Sequence, residues 1–176
     1  MKVRNIIICA LFCAIICVCS VIAIPIPISP VPFTLSLIAI FLCGALQNLK
    51  YGLISIFGYI LLGVAGLPVF SGFNSGPGAL IGPTGGYIFS YPLMILCISL
   101  IIKAFRKRTY IVYLISMLVS IIVCHALGSL WLAGFMKIDI VSALSVGSLP
   151  YIIPDIAKAC LSAFLAQALY RHLLNV

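Results

Sequence analysis

Asp155 and Lys158 are one acid and one amine set within a long apolar run, and they are the pair in this chain best placed to do chemistry. Three positions apart on a helix, they share one face. A carboxylate accepts hydrogen bonds and an ammonium donates them, so together they can hold the polar parts of a small molecule. Either charge alone in hydrocarbon costs several kcal/mol, so both are expected to face a bundle interior or a wet cavity. Two uses fit that pattern: a ligand or ion path, or a mutually neutralising pair that only holds helices together.

A second candidate is the uncharged stretch over 67–83, LPVFSGFNSGPGALIGP, rich in Gly, Pro, Ser and aromatics. Gly72, Gly76, Gly78 and Gly82, with Gly85 and Gly86 just beyond, let backbone approach a ligand closely. Phe70, Phe73 and Tyr87 offer flat apolar faces, and the Asn74 amide both donates and accepts. Irregular backbone at membrane depth is tolerated where it lines a cavity; an ordinary exposed glycine loop is the plainer reading. A third feature is Ala10 and Ala14, a small-xxx-small spacing that permits close helix approach. Ala159 and Ala163 repeat it.

Other chemistries lack their residues. There is no GxxxxGK[ST] loop for ATP and no HExxH. His125 and His172 are too far apart in sequence for a local metal motif, and His125 reads as a packed or hydrogen-bonded helix residue. The eight cysteines all lie in apolar runs without a CxxC pair, and read as packing residues.

The elements that must position these residues follow from composition. Hydrophobic residues fill 65% of 176 positions and charged residues only 7%, with mean hydropathy +1.37, which excludes a soluble domain. At roughly 20 residues per pass, the length allows about six or seven membrane helices and no separate soluble domain. The start, Met1-Lys-Val-Arg4 before an apolar stretch over 6–24, is too long for a signal core and lacks a cleavage site. A retained first helix is expected. The pattern predicts one all-α membrane domain over 1–176, with helices near 5–24, 34–47, 51–66, 84–102, 110–135 and 151–174.

Pro25, Pro27, Pro30 and Pro32 stop the first helix and make an extended connector. Thr34 is expected to cap the second helix. The second and third helices are short for a bilayer unless neighbouring protein shields their ends. A loop with Lys137 and Asp139 leads to the sixth. Ten Lys/Arg against two acids give a formal charge of +8, scattered between apolar runs rather than forming a face for nucleic acid. With the N-terminus inside, Lys2, Arg4, Lys50, Lys103, Arg106, Lys107, Arg108 and Arg171 are cytoplasmic and only Lys137 lies outside. Both termini are then cytoplasmic. Trp131 and Tyr110 suit interfacial anchoring.

Gly66-Leu-Pro-Val-Phe-Ser-Gly-Phe73, followed by Gly82-Pro-Thr-Gly-Gly-Tyr87, resembles the BioY family, the biotin-specific S components of energy-coupling factor (ECF) transporters. Ser29-Pro-Val-Pro-Phe-Thr34 is similar to that family's first loop. Pro150-Tyr151, then Asp155-Ile-Ala-Lys158, is similar to its Pro-Phe…Asp-x-x-Lys signature. Two positions depart from the pattern: Ser36 stands where the family often has Gln, and Ile153-Pro154 where it often has Pro-Gly.

The resemblance implies a six-helix fold in a bacterial cell membrane and a biotin pocket near the outer face. Biotin would be a transported substrate rather than a cofactor, and the chain would not be an enzyme. It also implies a transmembrane T component, docked on the Ala10/Ala14 face, and two ATP-binding-cassette ATPases. Asp155 would accept from the ureido N–H groups, and Lys158 would donate to the ureido carbonyl or the carboxylate. Asn74 would complete the polar shell, while Phe73, Tyr87 and Tyr151 pack the bicycle; Thr34 and Gly85 complete the candidate set. Rival readings are an S component for thiamin or riboflavin, an intramembrane enzyme using Asp155 or His125, and a structural subunit that binds no small molecule.

Overall fold

The computed structural model describes residues 3–27 and 29–174, with side chains through 171; Lys2 and the His172 side chain lie outside the described residues. In chain order, α1 (Val3–Val21) is followed by the two-residue strands β1 (Ala23–Ile24) and β2 (Phe33–Thr34). Next come α2 (Ser36–Leu46), α3 (Leu49–Val64), a 3-10 turn at Ser71–Phe73 and α4 (Pro77–Ile81). The chain ends with α5 (Gly85–Phe105), α6 (Tyr110–Met136), α7 (Ile140–Gly147) and α8 (Leu149–Leu174).

Four of these, α1, α5, α6 and α8, are long and apolar enough to cross a membrane. Their outward faces carry exposed Val18, Leu100, Ile122 and Phe164, as a hydrocarbon surround requires. α2, with 11 residues, is only about 17 Å long, far short of a roughly 30 Å hydrocarbon layer. It is tolerated because it lies inside the bundle, packed against α1, α3, α5 and α8. Its Ala39, Ile40, Phe41 and Cys43 are almost wholly buried.

α5 and α6 form the most extensively packed pair, and the GPTGGY run explains how. A β-carbon on Gly86 would collide with Trp131, and one on Gly128 would fall within the Tyr87 ring. Glycine at both positions therefore lets α5 sit directly on α6. Trp131 Nε1 donates to the Gly82 carbonyl at 2.9 Å, so this residue, expected only as an interfacial anchor, also pins the loop before α5.

Three local expectations are corrected. Thr34 does not cap α2: Leu35 holds that position without a side-chain cap bond, and Thr34 pairs with Ala23 across β1 and β2. The prolines therefore occupy the turn of a short antiparallel ribbon rather than a simple extended connector. The segment before α8 is not all loop but contains α7. Its N-cap is Asp139, which accepts from Ser142 N and Ser142 Oγ at 2.9 and 2.7 Å. Those bonds hold the Asp139 carboxyl below its ordinary pKa.

Candidate functional site

Tyr151, Asp155 and Lys158 fall at i, i+4 and i+7 on α8 and so project from one stripe. That stripe faces α2, α6 and the connector, and Asp155 and Lys158 are 4% and 6% exposed. Two such groups in a low-dielectric interior are tolerated only when paired and further hydrogen-bonded. Lys158 Nζ donates to Asp155 Oδ1 at 2.8 Å and to the Thr34 carbonyl at 2.7 Å. It also stands 3.7 Å from the centre of the Phe33 ring, a cation–π contact. Tyr151 OH donates to the Val31 carbonyl, so two side chains of α8 hold the connector.

α6 brings a further polar group. His125 Nδ1 lies 3.1 Å from Ser148 Oγ, which in turn lies 2.6 Å from Ser129 Oγ. The other ring nitrogen, Nε2, is 3.2 Å from Asp155 Oδ2 but lacks hydrogen-bond alignment. From α5, the Tyr87 hydroxyl donates to the Gly147 carbonyl at 2.7 Å, and its ring packs on Gly128 of α6.

These groups surround a pocket with about 600 Å³ of atom-free space, part of it in the open mouth. Its wall has an aromatic and apolar part, including Phe33, Tyr59, Tyr91 and Leu37, and a polar part with Asp155, Lys158, His125 and Ser36. Two buried polar atoms on this wall, Ser20 Oγ and His125 Nε2, have no hydrogen-bond partner among the described residues. Such orphans cost about 1–3 kcal/mol each when nothing meets them. The lining therefore suits a compact molecule with both apolar and hydrogen-bonding surfaces. Among the described residues, no group of three His, Cys, Asp or Glu could hold a metal ion, and the eight cysteines are free thiols.

Thr34, Tyr87, Tyr151, Asp155 and Lys158 all line this pocket. Phe73, Asn74 and Gly85 do not. Phe73 is 69% exposed because Gly72 and Phe73 both take left-handed φ, 68° and 61°, which turns its ring outward. Phe70 goes inward instead, edge-on to Tyr59 and filling the space beside Gly63. Asn74 donates to the Ser71 carbonyl at 2.9 Å and lines an outer vestibule that shares Pro32, Ser71 and Thr84 with the pocket. Gly85 packs against the Leu80 carbonyl, so its role here is close loop–helix approach. Ala10 and Ala14 lie exposed on α1, away from the pocket, whereas Ala159 and Ala163 are fully buried.

His125 joins this site without any signal in the sequence. The residue facing it, Asp155, is thirty positions later, and no local spacing links α6 to α8. Its hydrogen bonding to Ser148 is as expected, while its place beside the carboxylate is a tertiary result.

An apolar helical bundle enclosing a buried ion pair beside a small-molecule pocket defines a membrane-embedded binding protein. A model of the BioY family matches residues 1–175. "Biotin transporter BioY" of Thermotoga maritima is 38% identical over 83% of this chain and 85% of its own length. "Probable biotin transporter BioY" of Pyrococcus horikoshii is 37% identical over 96% and 98%. A crystal structure of the S-component for biotin from an ECF-type ABC transporter superposes with TM-score 0.90 at 29% identity, covering 97% of this chain and 92% of that one. The chain belongs to the BioY family.

Proposed function

We propose that this chain is the biotin-capturing S component of an ECF-type ABC transporter, a binding subunit and not an enzyme. Its six principal helices, α1, α2, α3, α5, α6 and α8, would lie in a bacterial plasma membrane with both termini cytoplasmic. A transmembrane T component and two ATP-binding-cassette ATPases would supply the energy, since this chain has no phosphate-binding loop. The observation that carries the reading is a buried Asp155–Lys158 pair lining a pocket that also contains unmet polar atoms.

Biotin presents two ureido N–H donors, one carbonyl, an apolar bicycle and a carboxylate on a flexible chain. Asp155, with one oxygen engaged by Lys158, keeps free lone pairs to accept from ureido N–H. Lys158, held by Asp155 and the Thr34 carbonyl, donates to the ureido carbonyl or the carboxylate by exchanging one of those bonds. In the tautomer whose Nδ1 accepts from Ser148, His125 carries its hydrogen on Nε2, an unpaired donor on the pocket wall beside Asp155. Tyr87 and Tyr151, their hydroxyls tied to main-chain carbonyls, offer ring faces to the bicycle, joined by Phe33 and Tyr91. Asn74 adds a polar contact from the vestibule. Exposed Ala10 and Ala14 give α1 a smooth face for the T component.

The test is binding of radiolabelled biotin to the detergent-purified chain, with thiamin and riboflavin as competitors. Saturable biotin binding that neither competitor displaces is expected. Displacement by either, or no biotin binding by folded protein, would end the proposal. Comparing free biotin with its amides then assigns the Lys158 contact: equal affinities exclude the carboxylate.

A further inference from the structure

A second, wider groove opens at the other end of the bundle, between the C-terminal end of α2, the start of α3 and the last turns of α5 and α8. Its atom-free space, including its open side, is about 1230 Å³. From Tyr87 to Lys103 along α5 the helical rise is about 24 Å, which places the groove near the opposite membrane surface from the pocket.

Three cations line it: Lys103, Arg106 and Arg108. Arg108 is fixed in place, with Nη1 donating to the Ala45 carbonyl at 3.3 Å and its guanidinium carbon 4.4 Å from the centre of the Tyr170 ring. Lys103 and Arg106 are exposed and, among the described residues, make no side-chain hydrogen bond or ion pair. Arg106 stands at φ 52°, so the chain carries a charged side chain where a glycine would sit with less strain. Among the described residues no acidic side chain lines the groove, and Asp139 and Asp155 are engaged elsewhere, capping α7 and beside Lys158. None of the described side chains answers Lys103 and Arg106, which leaves both free to meet an anion from outside the chain.

The surroundings favour one source. Leu100, one turn before Lys103, is 48% exposed on the same wall, so cationic and hydrocarbon surfaces are continuous. Basic recesses between membrane helices bind anionic headgroups in that manner. We propose that this groove holds the phosphate headgroup of an anionic phospholipid, with Lys103 and Arg106 meeting the phosphate, Arg108 forming the fixed wall, and Leu100 covering the first acyl carbons. The proposal does not depend on what the other pocket binds.

The full-length detergent-purified chain is titrated with short-chain phosphatidylglycerol, with phosphatidylcholine of equal chain length and with inorganic phosphate. Phosphatidylglycerol is expected to bind at least about tenfold more tightly than either alternative, less so at high salt. The double variant Lys103→Gln/Arg106→Gln loses that preference, while Lys50→Gln/Arg171→Gln, an equal charge change outside the groove, keeps it. Melting temperature shows that each variant is folded, and Lys103→Gln alone replaces the double variant if that one does not fold. Equal binding of the two lipids overturns the proposal and leaves the charge to an acidic protein partner. Equal loss in both double variants overturns it as bulk attraction, and inorganic phosphate binding as tightly as the lipid overturns it in favour of a free anion.

Discussion

At the pocket end of the bundle, Asp155 and Lys158 are almost sealed from their surroundings, and each charge is answered by another group of the same chain. At the basic end, Lys103 and Arg106 stand exposed, and the chain offers them no acid. The difference is one of dielectric. An enclosed charge cannot wait for a partner to arrive from solution, so its partner must be built in, and removing that partner is costly. An exposed charge costs little to leave alone, and each such residue contributes correspondingly little.

Substitutions at the two ends put that contrast to the test. The largest effect is expected where packing creates the pocket wall: Gly128→Val drives a side chain into the Tyr87 ring and separates α5 from α6. Loss of the monodisperse peak in size-exclusion chromatography, together with loss of biotin binding, is the expected outcome. Next, Asp155→Asn and Lys158→Ala each strand a buried polar group, at about 3–5 kcal/mol. Calorimetry should show biotin binding weakened at least about a hundredfold in both variants; unchanged affinity would refute the role given to the pair.

A smaller change is expected from His125→Phe, which keeps a ring beside Tyr87 but removes both nitrogens, Nδ1 bonded to Ser148 and Nε2 facing Asp155. Losing neutral contacts of about 1 kcal/mol predicts a several-fold weakening. His125→Gln should recover part of it in the same titration, and equal affinities for all three proteins would assign His125 to packing alone. The smallest effect belongs to Ala10→Leu/Ala14→Leu on exposed α1: biotin affinity should not move, while co-purification with the T component should fail. Intact co-purification would remove α1 from the docking surface.

The burial and pairing of the acid and amine were legible because their signal is local: two charges one helical turn apart in an apolar run must face inward and answer each other. Tyr87 and Tyr151 were legible through the runs that contain them. Phe73 and Asn74 show where that reading stops. Composition marked the loop as glycine- and aromatic-rich, but which aromatic turns inward is decided by the space at Gly63 and the face of Tyr59, both on α3. His125 needed α6 laid against α8, and the Ser129–Ser148 contact needed α7 to bring Ser148 back. The two alanine pairs make the same point. Identical spacing on α1 and α8 ends exposed in one and buried in the other, because only α8 has helices on the alanine side.

Tyr151 and Lys158 fasten the proline-rich ribbon by its peptide oxygens at positions 31 and 34, not by what those residues carry. The clasp itself therefore does not depend on the side chains of Val31 and Thr34, although buried Val31 also packs into the core. An insertion or deletion in the ribbon, which moves those oxygens out of step with the two side chains, would undo it even if every original residue were kept. Attachment here is written in chain length, leaving composition free to adjust what the ribbon presents to the cavity.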